Sequence, residues 1–181
     1  GGQFTANTMA IVMTALGLSP LGANDLPAIH VDRARAGEDC GKLVMDCFQR
    51  GFTPRQALTP AAFRNAARLV AATAGSTNAV LHLFAIAHEA QVPLSIDDFD
   101  TISAITPVIA DLKPGGRYTA IELSAAGGTT RVAQMLIDGG VLEDHPTVEG
   151  DSMLALLDAI ELGDQPEPVV YPLSQPLKPR G

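Results

Sequence analysis

The chain has 181 residues, of which 46% are hydrophobic and 18% are charged, so it can bury a core and is too apolar to be a disordered segment. Twelve basic and twenty acidic residues give a net charge of −8, and aromatic residues make up 4% with no Trp. These values argue against a nucleic-acid partner, which needs clustered basic residues and stacking aromatic rings. They also argue against a membrane protein, because no apolar run is long enough to span a bilayer.

Helix signals dominate, and we predict a mainly α fold with a few short strands. Thr5 is the predicted cap of a helix over 6–16, which is apolar nearly all round and is therefore expected to be buried. Residues 18–28 are predicted to form a loop, and a second helix is predicted over 32–50. The apolar stripe of this second helix consists of Leu43, Val44, Cys47 and Phe48.

Helix starts recur through the middle of the chain. Thr53-Pro54 and Thr59-Pro60 each place a capping hydroxyl before a proline at the first helical position. The second of these is expected to open a helix to about Ala74. The residues that this helix should bury are Phe63, Ala67 and Val70.

Two further helices follow in the predicted order. Ser76 is the expected cap of a helix to Gln91, whose apolar residues cover most of its circumference and predict a central place in the core. Ser95 and Asp98 resemble a capping box with a shortened acid, and Pro107 ends the helix that they open.

The C-terminal half combines strand and helix signals. Short strands are predicted over 108–112 and 118–121, around a turn formed by Lys113-Pro114-Gly115-Gly116. Helices are predicted over 129–138 and from Asp151 or Ser152 to 162. The residues after 163 are spaced by prolines and should be extended.

Three helix starts are led by glycine and followed by polar residues, at Gly1-Gly2, at Gly75-Ser76-Thr77-Asn78 and at Gly127-Gly128-Thr129-Thr130. Glycine permits close approach of backbone to a ligand, and the free N–H groups of a helix start attract anions. Each start is equally consistent with a simple cap. None of them matches a nucleotide-binding glycine motif.

The remaining titratable groups give no catalytic set. His82 and His88 are six residues apart on one helix and point in different directions, and the acidic trio of Asp97, Asp98 and Asp100 is typical of a solvated helix start. Cys40 and Cys47 would lie two helical turns apart, beyond the reach of a disulfide, and are expected to be buried, reduced thiols. His30 and His145 are expected to be bonded locally.

Six stretches in a fixed order resemble the dihydroxy-acid dehydratases and their sugar-acid (6-phosphogluconate) dehydratase relatives. The first is GGQFTANTM over residues 1–9, and the second is GSTNAVLHL over residues 75–83 with the AHEA that follows. The others are DDFDTIS from Asp97, ADLKPGGRY from Ala110, AGG from Ala126 and TVEG from Thr147. They are spread in order over nearly the whole chain.

The resemblance implies a hydro-lyase that removes water from a 2,3-dihydroxy acid to give a 2-oxo acid. In this family an iron–sulfur cluster acts as Lewis acid on the departing C3 hydroxyl, a base takes the C2 proton, and Mg²⁺ holds the carboxylate and the C2 oxygen. A precursor of branched-chain amino acids is the expected substrate, with a sugar acid as the alternative. A small 2,3-dihydroxy acid is thus the partner expected of the parent enzyme, which should be cytoplasmic.

The same resemblance indicates that the chain is an internal segment of an N-terminal α/β domain of such an enzyme. Residues 1–163 correspond to a helix-rich part of that domain, and residues 164–181 to an extended crossover toward a C-terminal barrel-like domain. Both ends look like cuts through a longer polypeptide. Cut surfaces would expose apolar area, so we expect a homodimer or other self-association.

The resemblance also limits what this chain is expected to do alone. The family's cluster cysteine precedes the Gly1-Gly2 pair, and the other cluster and Mg²⁺ ligands have no counterpart here, so the chain is expected to bind neither cofactor and to be inactive. We assign no catalytic or metal-binding residue within it. The residues expected to lie near the cluster and the substrate are Gly1, Gly2, Thr5, Asn7, Ser76, Thr77 and Asn78. A non-catalytic helical interaction module and an anion-binding domain are the alternative functions.

Overall fold

A computed structural model describes all of residues 1–181 and is built from nine α-helices and one 3₁₀ turn at Ala23–Asp25. The helices in the first half are α1 (Thr5–Ala15), α2 (Arg33–Arg50), α3 (Pro54–Ala57), α4 (Pro60–Ala72) and α5 (Asn78–Ala90). Those in the second half are α6 (Ile96–Ile105), α7 (Ala120–Ala125), α8 (Gly128–Asp138) and α9 (Met153–Asp158). The predicted mainly helical fold is confirmed, and no helix is both long and apolar enough to cross a bilayer.

Several helix starts follow the predicted capping chemistry. The Thr59 side chain accepts a hydrogen bond from the Ala62 N–H at 3.2 Å, with Pro60 at the first helical position of α4. Ser95 and Asp98 form a reciprocal capping box at α6. In each case the capping residue is extended, which lets its hydroxyl reach the third N–H of the helix and satisfy it.

The core forms where α1 crosses α4, and α5, α6 and α8 pack around α4. The expected burial of α1 and of the α4 stripe is confirmed. The largest fully buried side chains are Phe63, Ile11, Leu16, Leu69, Leu83 and Ile109. These residues come from four separate stretches of the chain, so the core closes only when those stretches assemble.

Both strand predictions are wrong. Residues 108–112 are extended but form only isolated bridges, and residues 120–125 are the helix α7, opened by a capping box between Thr119 and Glu122. No neighbouring strand is available to turn the extended stretch into a ladder. Its N–H groups are satisfied instead by the C-terminal segment and by the end of α4: Asp111 N donates to Val169 O at 2.9 Å, and Ile109 N donates to Ala72 O at 2.9 Å.

The prediction that the 76–91 helix lies at the centre of the core is also wrong. Only three residues of α5, Ala79, Leu83 and Ala87, are buried, whereas Leu81 is 67% exposed. The helix therefore lies on the surface with one face against the core. A helix that is apolar on every side becomes fully buried only where other elements of the fold pack against every side of it.

Several boundaries also differ from the predictions. Helix α5 begins at Asn78 and has no side-chain cap, so the prediction that Ser76 caps it is wrong. The residue preceding α1 is Phe4, and Thr5 is the first helical residue, so its hydroxyl does not cap the helix. The last helix, capped as predicted by Ser152, ends at Asp158 and not at 162. Residues 164–181 form no helix but include bends and a turn at 173–174, and Val169 and Val170 are buried beside 108–112.

Candidate functional site

Two of the three glycine-led helix starts meet in the structure, although 71 residues separate them. The Thr5 Oγ1 atom lies 3.2 Å from Ser76 Oγ, and the Asn78 side-chain amide donates to Thr5 Oγ1 at 2.8 Å. The Asn78 N–H in turn reaches Ser76 Oγ at 3.3 Å. We call Thr5, Ser76 and Asn78 the hydroxyl cluster.

The hydroxyl cluster is fixed from behind by Thr8 and Gly75. Thr8 is fully buried; its hydroxyl donates to Phe4 O at 2.9 Å and accepts from Ser76 N at 3.0 Å. A Cβ atom on Gly75 would lie 2.8 Å from the Thr8 methyl group. The absent side chain at residue 75 therefore allows the turn before α5 to approach α1.

A second polar network lies below the first turn of α1. Gln3 is buried and donates to the Thr73 hydroxyl at 2.9 Å, while its carbonyl oxygen accepts from the Asn7 side chain at 2.5 Å. The sequence analysis missed Gln3, Thr73 and Thr8. Thr8, a polar residue inside an otherwise apolar helix, is a local signal of such a network, whereas Gln3 and Thr73 lie just outside α1 and α4 and carry none.

Gly1 and Gly2 are held against the 113–120 segment. Gln3 N donates to Lys113 O at 2.6 Å, and Ala120 N donates to Gly1 O at 2.8 Å. A Cβ atom on Gly2 would lie 2.5 Å from Lys113 O, so the backbone contact requires glycine there.

The opposite side of the α1 start opens onto a cavity of about 510 Å³. Its polar lining residues are Asn7, Asn24, Asp25 and Arg33. Gly1 and Gly2 also border it, whereas the hydroxyl cluster does not. The predicted site residues thus fall on two sides of one helix start, and exposed Thr77 makes no side-chain hydrogen bond on either side.

The first turn of α1 has no side-chain cap and no acidic residue. Its N–H groups are therefore available to an anion, and the helix dipole favours negative charge at this end. The hydroxyl cluster adds one free proton donor, because the two hydroxyls can use only one proton between them and each oxygen already accepts from Asn78.

The third glycine-led start is occupied by the chain itself. Thr129 N and Thr129 Oγ1 donate to the Asp25 carboxylate at 2.9 and 2.6 Å, at the beginning of α8. Burial raises the pKa of Asp25, and the two hydrogen bonds from Thr129 oppose that rise. Gly128 has a φ of +61° and no room for a Cβ atom beside Asp25.

No three His, Cys, Asp or Glu side chains are arranged to hold a metal ion. Cys40 and Cys47 are half-buried free thiols on α2, so the expectation of full burial is wrong. The residues present do not make a ligand set for an iron–sulfur cluster, and we derive no chemical step through one. His145 is buried and its Nδ1 lies 3.0 Å from Pro146 O, as expected for a locally bonded histidine.

Comparison with known proteins identifies the family. Residues 1–155 match the family model described as dihydroxy-acid/6-phosphogluconate dehydratase N-terminal. The chain is 48% identical over 182 residues to a dihydroxy-acid dehydratase of Thermus thermophilus, and 50% identical over 183 residues to one of Roseiflexus castenholzii. A third, from Parvibaculum lavamentivorans, is 46% identical over 182 residues.

These alignments cover all of this chain but 33%, 32% and 31% of the respective relatives, so the chain spans about a third of their length. The hydroxyl cluster and the Gly1-Gly2 contact both lie inside the matched region. The chain belongs to the dihydroxy-acid/6-phosphogluconate dehydratase family, within its N-terminal part.

Proposed function

We propose that this chain supplies one wall of the active site of a dihydroxy-acid dehydratase. The observation that carries the proposal is the uncapped start of α1, bordered by the hydroxyl cluster on one side and the polar cavity on the other. The reaction removes the C2 proton and the C3 hydroxyl of a 2,3-dihydroxy acid as water. The resulting enol becomes the 2-oxo acid.

The role of this wall is to hold the anionic substrate. The first N–H groups of α1 and the guanidinium of Arg33 at the cavity rim are placed to attract a carboxylate. The free hydroxyl proton of the Thr5–Ser76 pair can donate to a ligand oxygen. We propose that Gly1, Gly2 and Asn7 act on the cavity side, and Ser76, Thr77 and Asn78 on the side of the hydroxyl cluster.

The iron–sulfur cluster and Mg²⁺ belong to the proposed function of the longer enzyme, because the ligands that the family uses are not among these residues. The relatives' name, dihydroxy-acid dehydratase, supports a branched-chain amino-acid precursor over a sugar acid as substrate. The cytoplasmic location and the role of 164–181 as a crossover to a second domain stay predictions, as does the inactivity of the isolated chain.

A chimera tests this proposal. Residues 1–181 would replace the corresponding third of the Thermus thermophilus relative, and release of 2-oxo acid from 2,3-dihydroxyisovalerate and from a sugar acid would be measured. We expect activity on the first substrate, with Thr5→Val and Ser76→Ala each lowering kcat/KM by about 5- to 30-fold, because each removes a hydrogen-bonding group worth roughly 1–2 kcal/mol.

The matched control is Thr101→Val, which makes the same change at an exposed position of α6 and should leave activity unchanged. Full activity in both the Thr5 and Ser76 variants would contradict the proposed wall. Release of product by the isolated 181-residue chain would contradict the prediction that it is inactive.

A further inference from the structure

The wall of the cavity beside the start of α1 carries two amide side chains, Asn7 and Asn24. Both are half-buried. Asn7 lies on α1, and Asn24 lies in the 3₁₀ turn Ala23–Asp25. A side-chain amide is a donor at its nitrogen and an acceptor at its oxygen, so the group that it presents to the cavity depends on which end is bonded inside the chain.

The orientation of Asn7 is determined by a relay that starts at the end of α4. The Thr73 hydroxyl donates to Leu69 O at 2.8 Å, which leaves its oxygen to accept from the Gln3 amide nitrogen at 2.9 Å. The Gln3 carbonyl oxygen is thereby turned toward Asn7, which donates to it at 2.5 Å. The relay has one direction, because the main-chain carbonyl at its end can only accept.

The orientation of Asn24 is determined in the same way by α1. Its amide nitrogen donates to Ala10 O at 3.1 Å and to Thr14 Oγ1 at 3.3 Å. The Thr14 hydroxyl donates its own proton to Ala10 O at 3.2 Å, so its oxygen is an acceptor. Both partners of Asn24 therefore accept, and the donor end of this amide is held against the helix.

The carbonyl oxygens of the two amides are left without a partner in the chain. Neither Asn7 Oδ1 nor Asn24 Oδ1 makes a hydrogen bond, and the buried polar side-chain atoms that lack one are elsewhere, on Arg68 and His145. Both oxygens are therefore accessible. The cavity wall thus offers two oriented acceptors, which suit hydroxyl groups and do not suit a carboxylate.

We propose that Asn7 and Asn24 accept hydrogen bonds from the hydroxyl groups of the 2,3-dihydroxy acid, an inference that rests on the proposed function. Gln3 and Thr73 are positioning residues, because they hold the Asn7 amide with its oxygen free. The carboxylate of the same ligand is left to the start of α1 and Arg33. Charge and hydroxyl groups are thus recognised by different parts of one wall.

Binding of three small acids to the chimera with the Thermus thermophilus relative tests this proposal. The acids are 2-hydroxyisovalerate, 3-hydroxyisovalerate and isovalerate, which share a carboxylate and differ only in the hydroxyl group. Isothermal titration calorimetry gives each dissociation constant. Asn7→Leu and Asn24→Leu should each weaken at least one hydroxy acid by about 3- to 10-fold, the effect of one lost hydrogen bond, and leave isovalerate unchanged.

The positioning role of Gln3 is tested by a matched pair of variants. Gln3→Met removes the acceptor that holds the Asn7 amide, so it should weaken the same hydroxy acid as Asn7→Leu does. Gln3→Glu keeps a carboxyl oxygen beside Asn7 and should restore the affinity. Circular dichroism verifies that each variant is folded. A general structural defect would weaken isovalerate as well, and no loss in Gln3→Met would contradict the relay.

Three results would overturn the inference. Unchanged affinity for both hydroxy acids in Asn7→Leu and Asn24→Leu would mean that neither oxygen contacts a hydroxyl group, while continued binding of isovalerate would leave the proposed function standing. An equal loss for all three acids would assign the amides to the carboxylate. If the unmodified chimera binds none of the acids, the proposed function fails together with the inference.

Discussion

Helices α2 and α4 carry the same kind of apolar stripe, but only the stripe of α4 is buried. The stripe of α4 packs against α1, and eight of the thirteen residues of this helix, Asn65 included, are buried. That of α2, five residues longer, buries none. An amphipathic pattern thus predicts that a helix needs a partner, but it does not say whether the partner lies in the same chain.

The difference in burial between α4 and α2 should have its largest effect when an apolar side chain of each helix is truncated and the free energy of unfolding is measured. Leu69→Ala in α4 should lower it by about 3–4 kcal/mol, because Leu69 is fully buried and leaves a cavity. Phe48→Ala in α2 should change it by less than about 0.5 kcal/mol in dilute monomer. Urea unfolding at low micromolar protein concentration measures both changes. Equal losses of stability in the two variants would contradict the difference in burial between α4 and α2.

Substitution of glycine by alanine should change the free energy of unfolding in opposite directions in the two regions. Gly75→Ala is expected to cost about 1–3 kcal/mol, because the new methyl group collides with buried Thr8. Gly37→Ala should instead raise the stability of the monomer by about 0.5–1 kcal/mol, through the better helix propensity of alanine. Thermal unfolding of each variant measures both changes. Stabilisation by Gly75→Ala would contradict the close approach of residue 75 to the Thr8 methyl group.

The ion pairs that anchor α4 give a smaller effect, visible as a dependence on pH. Arg64 and Arg68 bond to Glu143 at 2.5 and 2.6 Å, and the Arg64 hydrogen bond is the main reason that the pKa of Glu143 falls to about 2. Because the native pKa lies below the unfolded value, this stabilisation is present above pH 4.5 and is lost as the pH falls toward 2.

The expected contribution is about 1 kcal/mol, reduced from the full shift because solvent reaches Glu143 and Arg64 and screens the pair. Glu143→Gln should therefore flatten the fall in unfolding free energy between about pH 5 and pH 3. Asp46→Asn, which removes the exposed partner of Arg50 on α2, is the matched control. An unchanged slope in Glu143→Gln would mean that this ion pair does not stabilise the fold.

The smallest effect is expected for the charges on the exposed side of α2. Asp39 contacts Lys42 at 2.9 Å and Arg35 at 3.8 Å, and all three side chains are more than half exposed. Asp39→Asn should leave the free energy of unfolding unchanged, because solvent screens these exposed pairs. A clear loss of stability in urea unfolding would show that α2 is held to the rest of the molecule more firmly than its exposure indicates.

Most helix starts were predictable from local chemistry, because the residues that form a cap, such as Thr59 with Pro60 or Ser95 with Asp98, lie within four residues of one another. The strand predictions failed where the outcome depended on distant segments: residues 108–112 were extended as expected but found a C-terminal coil instead of a strand. The surface position of α5 was missed for the same reason.

The glycine-led starts single out Gly1-Gly2 and Ser76 to Asn78 without any resemblance, but only the family resemblance predicted that they belong to one site. Motif matching selected Thr5 and Ser76 together, whereas no spacing rule relates residues 71 positions apart. The cavity lining contributed by Asn24 and Arg33 carries no local signal, since neither residue belongs to a glycine-led start. Their position follows from the loop that precedes α2 and folds back over α1.

The seam between α2 and the body holds both cysteines of the chain. Cys47 donates a hydrogen bond to Val148 O at 3.3 Å, and Cys40 lies two turns away on the same side. Detachment of α2 alone would expose these half-buried thiols further while the α1–α4 crossing stays intact. A chromogenic disulfide should therefore modify them faster under conditions that loosen α2 than under conditions that leave it docked, before the core unfolds.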